Sequence, residues 1–184
     1  MRVRWVLAIM TLPVVAGCGV AQQPESARTV AAFAVPLPSE ADREQFLAVL
    51  RTAAAAERMH VDTESKQDLE NAARASPLLE MTMNAAVWRG ANDDEPIASA
   101  MDQHDHLGEV WLTFFRGKDP ALSRGFRERA MRAIELRWPD TLSLPIMPTG
   151  AIPLHDDLIR TPDGYVVKAS EAHRYQLPGS DQSR

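Results

Sequence analysis

The chain has 184 residues, 45% hydrophobic, 24% charged and 6% aromatic, with a formal net charge of −5. This is the composition of one globular domain and excludes a disordered, collagenous or multi-span membrane chain. A single cysteine excludes an internal disulfide framework and a cysteine-rich zinc site.

Arg2 and Arg4 open the chain, and an apolar run follows from Val6 to Ala16, interrupted by Thr11 and Pro13. A permanent membrane helix takes about 20 apolar residues, so this run is too short to span. A positive head followed by a short apolar stretch is the physical form of a secretory signal. The run closes on Val15-Ala16-Gly17-Cys18. In these residues the sequence resembles the bacterial lipoprotein family, whose lipobox is an aliphatic residue, a small residue, Gly or Ala, and then cysteine. The resemblance is confined to the first twenty residues or so. It implies a lipid on the Cys18 thiol, removal of residues 1–17 and acylation of the new amino terminus. Two or more acyl chains hold a protein stably, at about 0.8 kcal/mol per buried CH₂. By the family's sorting convention, Gly19 (rather than Asp) implies an outer-membrane destination facing the periplasm. Removal of residues 1–17 takes away two arginines and no acid, so the net charge becomes −7. Such a body is ill suited to nucleic acid, and the anchor rather than overall charge must hold it at a membrane.

Residues 18–28 read as a short polar tether, residues 29–170 as one domain, and residues 171–184 as a flexible tail. Within the domain, residues 29–35 (TVAAFAV) suit a strand closed by Pro36 and Pro38. Ser39 with Asp42 three residues later opens a helix that buries Phe46, Leu47, Leu50, Ala53 and Ala54 and ends near Arg58. A shorter helix follows over residues 64–75, bounded by Pro77. Residues 79–88 alternate, with Leu79, Met81, Met83, Ala85 and Val87 on one face of a strand. Two more strands are expected, over residues 97–103 and 109–116. The second of these (EVWLTFFR) is apolar on both faces, which places it in the sheet centre. Asp119-Pro120 caps a third helix whose buried side is Leu122, Phe126, Ala130, Ala133 and Ile134. Leu142, Leu144 and Ile146 suit a strand, and Thr161-Pro162-Asp163-Gly164 turns a terminal hairpin. The order predicts an α+β two-layer sandwich: a mostly antiparallel sheet with two main helices on one face, loosely ferredoxin-like.

Chemistry is sparse. Asp102, His104 and His106 share one side of an extended segment and could offer a metal one carboxylate and two imidazoles; a solvated turn is the competing reading. Asp93, Asp94 and Glu95 lack the spacing of a calcium loop, and His155, Asp156 and Asp157 are equally ambiguous. Arg124, Arg127, Arg129, Arg132 and Arg137, with Arg116 and Lys118 nearby, make the third helix locally basic. Arg124, Arg127 and Arg132 are the candidates for docking an acidic partner or an anionic polymer, against a merely solvated face paired through Glu128 and Glu135. Trp88, Trp111, Phe114, Phe115 and Trp138 fall at core spacing. No nucleophile elbow, phosphate loop or H-E-x-x-H motif occurs, so no catalytic residue is assigned. The expectation is a membrane-anchored, periplasm-facing lipoprotein whose folded part binds another envelope protein or polymer, with no cofactor beyond the covalent lipid on Cys18. The alternatives are a metal-dependent periplasmic hydrolase using the Asp102 side and a ligand-free structural lipoprotein.

Overall fold

The computed structural model describes residues 24–75, 82–90, 95–102 and 108–175. Cys18, His104, His106, Asp93, Asp94 and the start of the strand expected over residues 79–88 lie outside them.

Six strands form one antiparallel sheet in the order β2-β3-β4-β5-β1-β6. They are β1 (Thr29–Pro36), β2 (His60–Thr63), β3 (Asn84–Trp88), β4 (Ala98–Met101), β5 (Glu109–Phe115) and β6 (Leu142–Ser143). Among the described residues there are also three α-helices, α1 (Glu40–Ala56), α2 (Lys66–Ala75) and α3 (Pro120–Arg137), and a separate hairpin of β7 (Leu158–Thr161) and β8 (Gly164–Val167). The protein is an α+β sandwich. The run β4-β5-β1-β6, with α1 following β1 and α3 following β5, has the ferredoxin-like order, widened at one edge by β3 and β2.

The helix starts are chemical. Ser39 Oγ accepts the Asp42 N–H at 3.1 Å, and Asp119 Oδ1 accepts the Leu122 N–H at 3.1 Å with Pro120 in the first turn. Each cap satisfies an orphan donor and contributes about 1 kcal/mol. Ser65 caps α2 in the same way, through the Asp68 N–H.

β1 and β5 pair along their whole length, from Thr29 opposite Phe115 to Pro36 opposite Glu109. Their alternation divides the interior in two. Val35, Val110, Leu112 and Phe114 point to the helix side, where Phe46 and Leu50 of α1 and Phe126, Ala130 and Ile134 of α3 close the main core. Phe126 packs on Phe114 with ring centroids 5.9 Å apart, and Phe46 meets Trp138 edge-on at 6.0 Å. Ala32, Ala34 and Trp111 point the other way, into a smaller core closed by Leu144, Leu158 and Tyr165. The second face of β1 and β5 is therefore covered by the C-terminal segment, which the expected two-layer picture did not include.

Other differences have local causes. β2 (HVDT) was not expected; its residues are half-buried or exposed and carry no apolar alternation. β6 has only two residues because Pro145 and Pro148 break the run in which Leu142, Leu144 and Ile146 alternate. On α3, Met131 and Ser123 are buried while Ala133 is exposed, so the buried stripe is rotated slightly from its expected position. Past Glu171, where the sequence turns polar, Ala172–Tyr175 form a 3₁₀ turn held by Asp157. That carboxylate accepts from Arg174 Nη1 at 2.8 and 2.9 Å and from the Tyr175 hydroxyl.

Gly164, at φ +138°, brings the hairpin against β6: a Cβ there would lie 2.5 Å from Ser143 Oγ and 2.8 Å from the Ser143 carbonyl oxygen. Gly164→Ala is expected to lose about 2 kcal/mol, since both the backbone conformation and the backbone contact forbid a methyl group. Urea titration followed by tryptophan emission checks this, because the hairpin covers Trp111; an unchanged midpoint contradicts the packing.

Candidate functional site

The strands of the sheet have two ends with different chemistry. The near end is where β1 begins and β5 finishes. The far end, about 23 Å away along β1 at 3.3 Å per residue, is where β1 finishes and β5 begins.

At the far end Asp102 follows β4 and is fully buried. Its Oδ2 accepts from Arg43 Nη2 of α1 at 2.8 Å and from Thr82 Oγ1 at 2.7 Å. The Arg43 side chain is itself only 17% exposed, so this is a largely desolvated ion pair between helix and sheet. The carboxylate that the sequence offered to a metal thus holds a guanidinium, and its two histidine companions lie outside the described residues. Among the described residues, no three His, Cys, Asp or Glu side chains are grouped as a metal would require. Asp156 is exposed, Asp157 is buried on Arg174 and Tyr175, and His155 sits between rings, with its centroid 6.1 Å from Trp111 and 6.2 Å from Tyr165. Glu95 is half-buried beside the residues that complete the acidic triplet.

Glu109, also at the far end, accepts the Trp111 indole N–H at 3.1 Å through Oε1 and the Tyr165 hydroxyl at 3.0 Å through Oε2. Burial pushes the Tyr165 phenol up to about 12, and the neighbouring Glu109 carboxylate adds to the shift. Burial likewise raises Tyr175, with its hydrogen bond to Asp157 contributing. These contacts dock the C-terminal segment.

At the near end a cavity of about 320 Å³ opens where β5 leads into α3. It is lined by Arg116, Arg124, Arg127 and Ser123, with Val30, Phe115 and Pro120 as its apolar wall. Helical spacing puts Arg124 and Arg127 three residues apart on the same flank of α3. Arg116 lies just past the end of β5 and is paired with Glu25 at 2.5 Å. Arg124 and Arg127 make no ion pair among the described residues. Ser123 is 6% exposed, and its Oγ has no hydrogen-bond partner among them. The cavity is thus lined by three arginines, two of them without an ion pair among the described residues, and guanidiniums are the donors that suit a tetrahedral or planar anion.

The remaining arginines of α3 divide by partner. Arg129 reaches Glu57 at 3.0 Å and Arg137 reaches Gln45 at 3.0 Å, both tying α3 to α1. Arg132 lies apart from the cavity, on an outer stretch of the helix with Glu128, Glu135 and Leu136. Of the three arginines that the sequence proposed for a partner, the structure brings Arg124 and Arg127 together and leaves Arg132 elsewhere. Sequence reasoning missed Ser123 and Val30 as lining residues. Their only signals, a serine on a buried helix stripe and an exposed valine opening a strand, are common in any domain.

No family model, curated protein or solved structure matches this chain. Among the described residues, no helix is long and apolar enough to cross a membrane.

Two expectations follow from the far end. Asp102→Ala strands the Arg43 charge in a desolvated place and should cost about 3–5 kcal/mol, whereas Arg43→Met with Asp102→Leu should recover most of the loss; equal destabilisation of single and double variants in urea would contradict the pairing. A phenol raised in the fold stabilises it fully below the ordinary value near 10, and this contribution is lost as pH rises through about 12. Phenolate absorbance of the native protein should therefore develop late. Glu109→Gln should bring the Tyr165 titration down while burial keeps it above 10; titration at the ordinary value in the native protein would count against the docked arrangement.

Proposed function

We propose that this protein is a bacterial envelope lipoprotein, tethered to the outer membrane through lipidated Cys18 and facing the periplasm, whose folded part is a non-enzymatic module that binds an anionic group. The lipobox Val15-Ala16-Gly17-Cys18 supports the tether. The observation that carries the binding role is the near-end cavity, which Arg124 and Arg127, without acidic partners among the described residues, line together with Arg116. Unpaired guanidiniums beside a concavity set up a local field that an anionic group can use. Against a catalytic role stands the environment of the carboxylates. Asp102, Asp157 and Glu109, the acids held in ordered networks, are each engaged by a guanidinium, hydroxyl or indole donor of the fold itself.

The tether is tested by intact mass and fractionation of the protein from its native envelope. The chain should begin at Cys18 and carry diacylglyceryl and acyl mass, and Cys18→Ala should leave the mature membrane-bound form unmade. An unlipidated chain that still cofractionates with the membrane would overturn the tether. The binding role is tested by crosslinked capture with the native protein and with Arg124→Glu/Arg127→Glu. Loss of the captured species in the double variant is expected, at about 1 kcal/mol or more per lost charge-assisted contact. Identical capture by both proteins would remove the cavity from the account.

A further inference from the structure

We propose that the near-end cavity takes the phosphate of a phospholipid headgroup in the membrane that holds the Cys18 lipid, an assignment that rests on the tethered reading above and names its ligand. Three independent features of the molecule lead there.

The first is donor chemistry. A guanidinium presents two parallel N–H groups whose spacing matches two oxygens of a phosphate, and its charge persists at any accessible pH. Arg124 and Arg127 line the cavity without ion pairs among the described residues, and Arg116 stands beside them with the exposed Glu25 carboxylate on it. The Glu25–Arg116 pair is exposed on both sides, so an arriving anion displaces little stabilisation by exchanging it.

The second is the apolar wall. Val30 is 40% exposed, and with Phe115 and Pro120 it lines the same cavity as the arginines. A free inorganic anion gains nothing from such a surface. An amphiphile does, because its charged group and the adjoining glycerol and acyl carbons need cationic and apolar surface side by side.

The third is where the tether joins the fold. The segment around Glu25–Ala27 is stitched to the connection between β5 and α3: the Arg116 N–H donates to the Arg28 carbonyl at 2.9 Å, and the Gly117 N–H donates to the Ser26 carbonyl at 2.8 Å. The chain thus leaves the fold toward Cys18 beside the cavity, at the near end of the sheet. Six residues lie between Cys18 and Glu25, a span of seven steps that reaches at most about 25 Å when fully extended. A lipid on Cys18 holds this end within that distance of the bilayer, while the far end lies a strand length further off. The overall charge of −7 for residues 18–184 disfavours an anionic surface, so a local cluster of arginines is what lets the body approach one.

The test uses the full-length lipoprotein with its Cys18 lipid verified by mass, reconstituted in phosphatidylglycerol vesicles, in vesicles of a neutral glycolipid without phosphate, and in neutral detergent with and without millimolar inorganic phosphate. The rate at which phenylglyoxal modifies each arginine is read by peptide mass spectrometry, with Arg132 on the same helix as the internal control. Arg124 and Arg127 should react about fivefold more slowly in phosphatidylglycerol than in glycolipid, the equivalent of about 1 kcal/mol per arginine at an anionic surface, while Arg132 is unchanged. Equal rates in the two vesicles, with Cys18 lipidated, overturn the headgroup assignment and leave the tether standing. Equal protection by inorganic phosphate in detergent reassigns the cavity to a free phosphate and overturns it too. Protection in native envelopes but not in phosphatidylglycerol overturns it in favour of an acidic protein or polymer. A chain found without lipid on Cys18 removes the tether, and the assignment falls with it.

Discussion

Everything else in this fold depends on β1 and β5 being buried on both faces. A strand pair covered on one face only could lie at the edge of the domain with polar residues outward. Here Phe33, Val35, Leu112 and Phe114 need the helices, and Ala32, Ala34 and Trp111 need a second cover. The two requirements recruit different parts of the chain. Helices α1 and α3 supply the first, and the segment after β6 supplies the second through Leu144, Leu158 and Tyr165. Burying large apolar side chains at roughly 1.5–3 kcal/mol each is what offsets the entropy of ordering both layers.

That double cover leaves the two ends of β1 and β5 open, and among the described residues their charged side chains are arranged differently. Among the described residues at the far end, Arg43 is paired with Asp102, and Glu109 accepts hydrogen bonds from an indole and a phenol. Those networks stabilise docking of α1 and of the C-terminal segment. At the near end Arg116 is paired with Glu25 and Arg89 with Asp119, while Arg124 and Arg127 line a concavity without an ion pair among the described residues. A chain that is acidic as a whole therefore carries one local cluster of arginines at this cavity, and its field favours an anion there.

The elements whose determinants are local were readable in the residues. Ser39 with Asp42, and Asp119 with Pro120, mark helix starts by side-chain chemistry within one turn, and Thr161 to Gly164 carry their turn in four residues. EVWLTFFR announced a central strand because both of its faces are apolar. Elements defined by distant partners were not readable. β2 exists because His60, Val61, Asp62 and Thr63 find β3 to pair with, and nothing in those four side chains announces it. Asp102 invited a metal reading because its sequence neighbours are histidines, whereas its actual partner, Arg43, lies 59 residues away. The basic helix showed five arginines alike; only packing separates Arg129 and Arg137, which reach α1, from Arg124 and Arg127, which line the cavity.

The proposed function stands on the orientation the molecule would take at a membrane if Cys18 is lipidated. With Cys18 lipidated, one introduced cysteine is the only free thiol, so a fluorophore can be placed at Ala121→Cys beside the cavity or at Glu40→Cys at the start of α1, both exposed positions at opposite ends of the sheet. Quenching by headgroup-labelled lipid in reconstituted vesicles then reports the distance of each end from the bilayer. The account predicts strong quenching at position 121 and little at position 40. Equal quenching at both, or the reverse order, would contradict it.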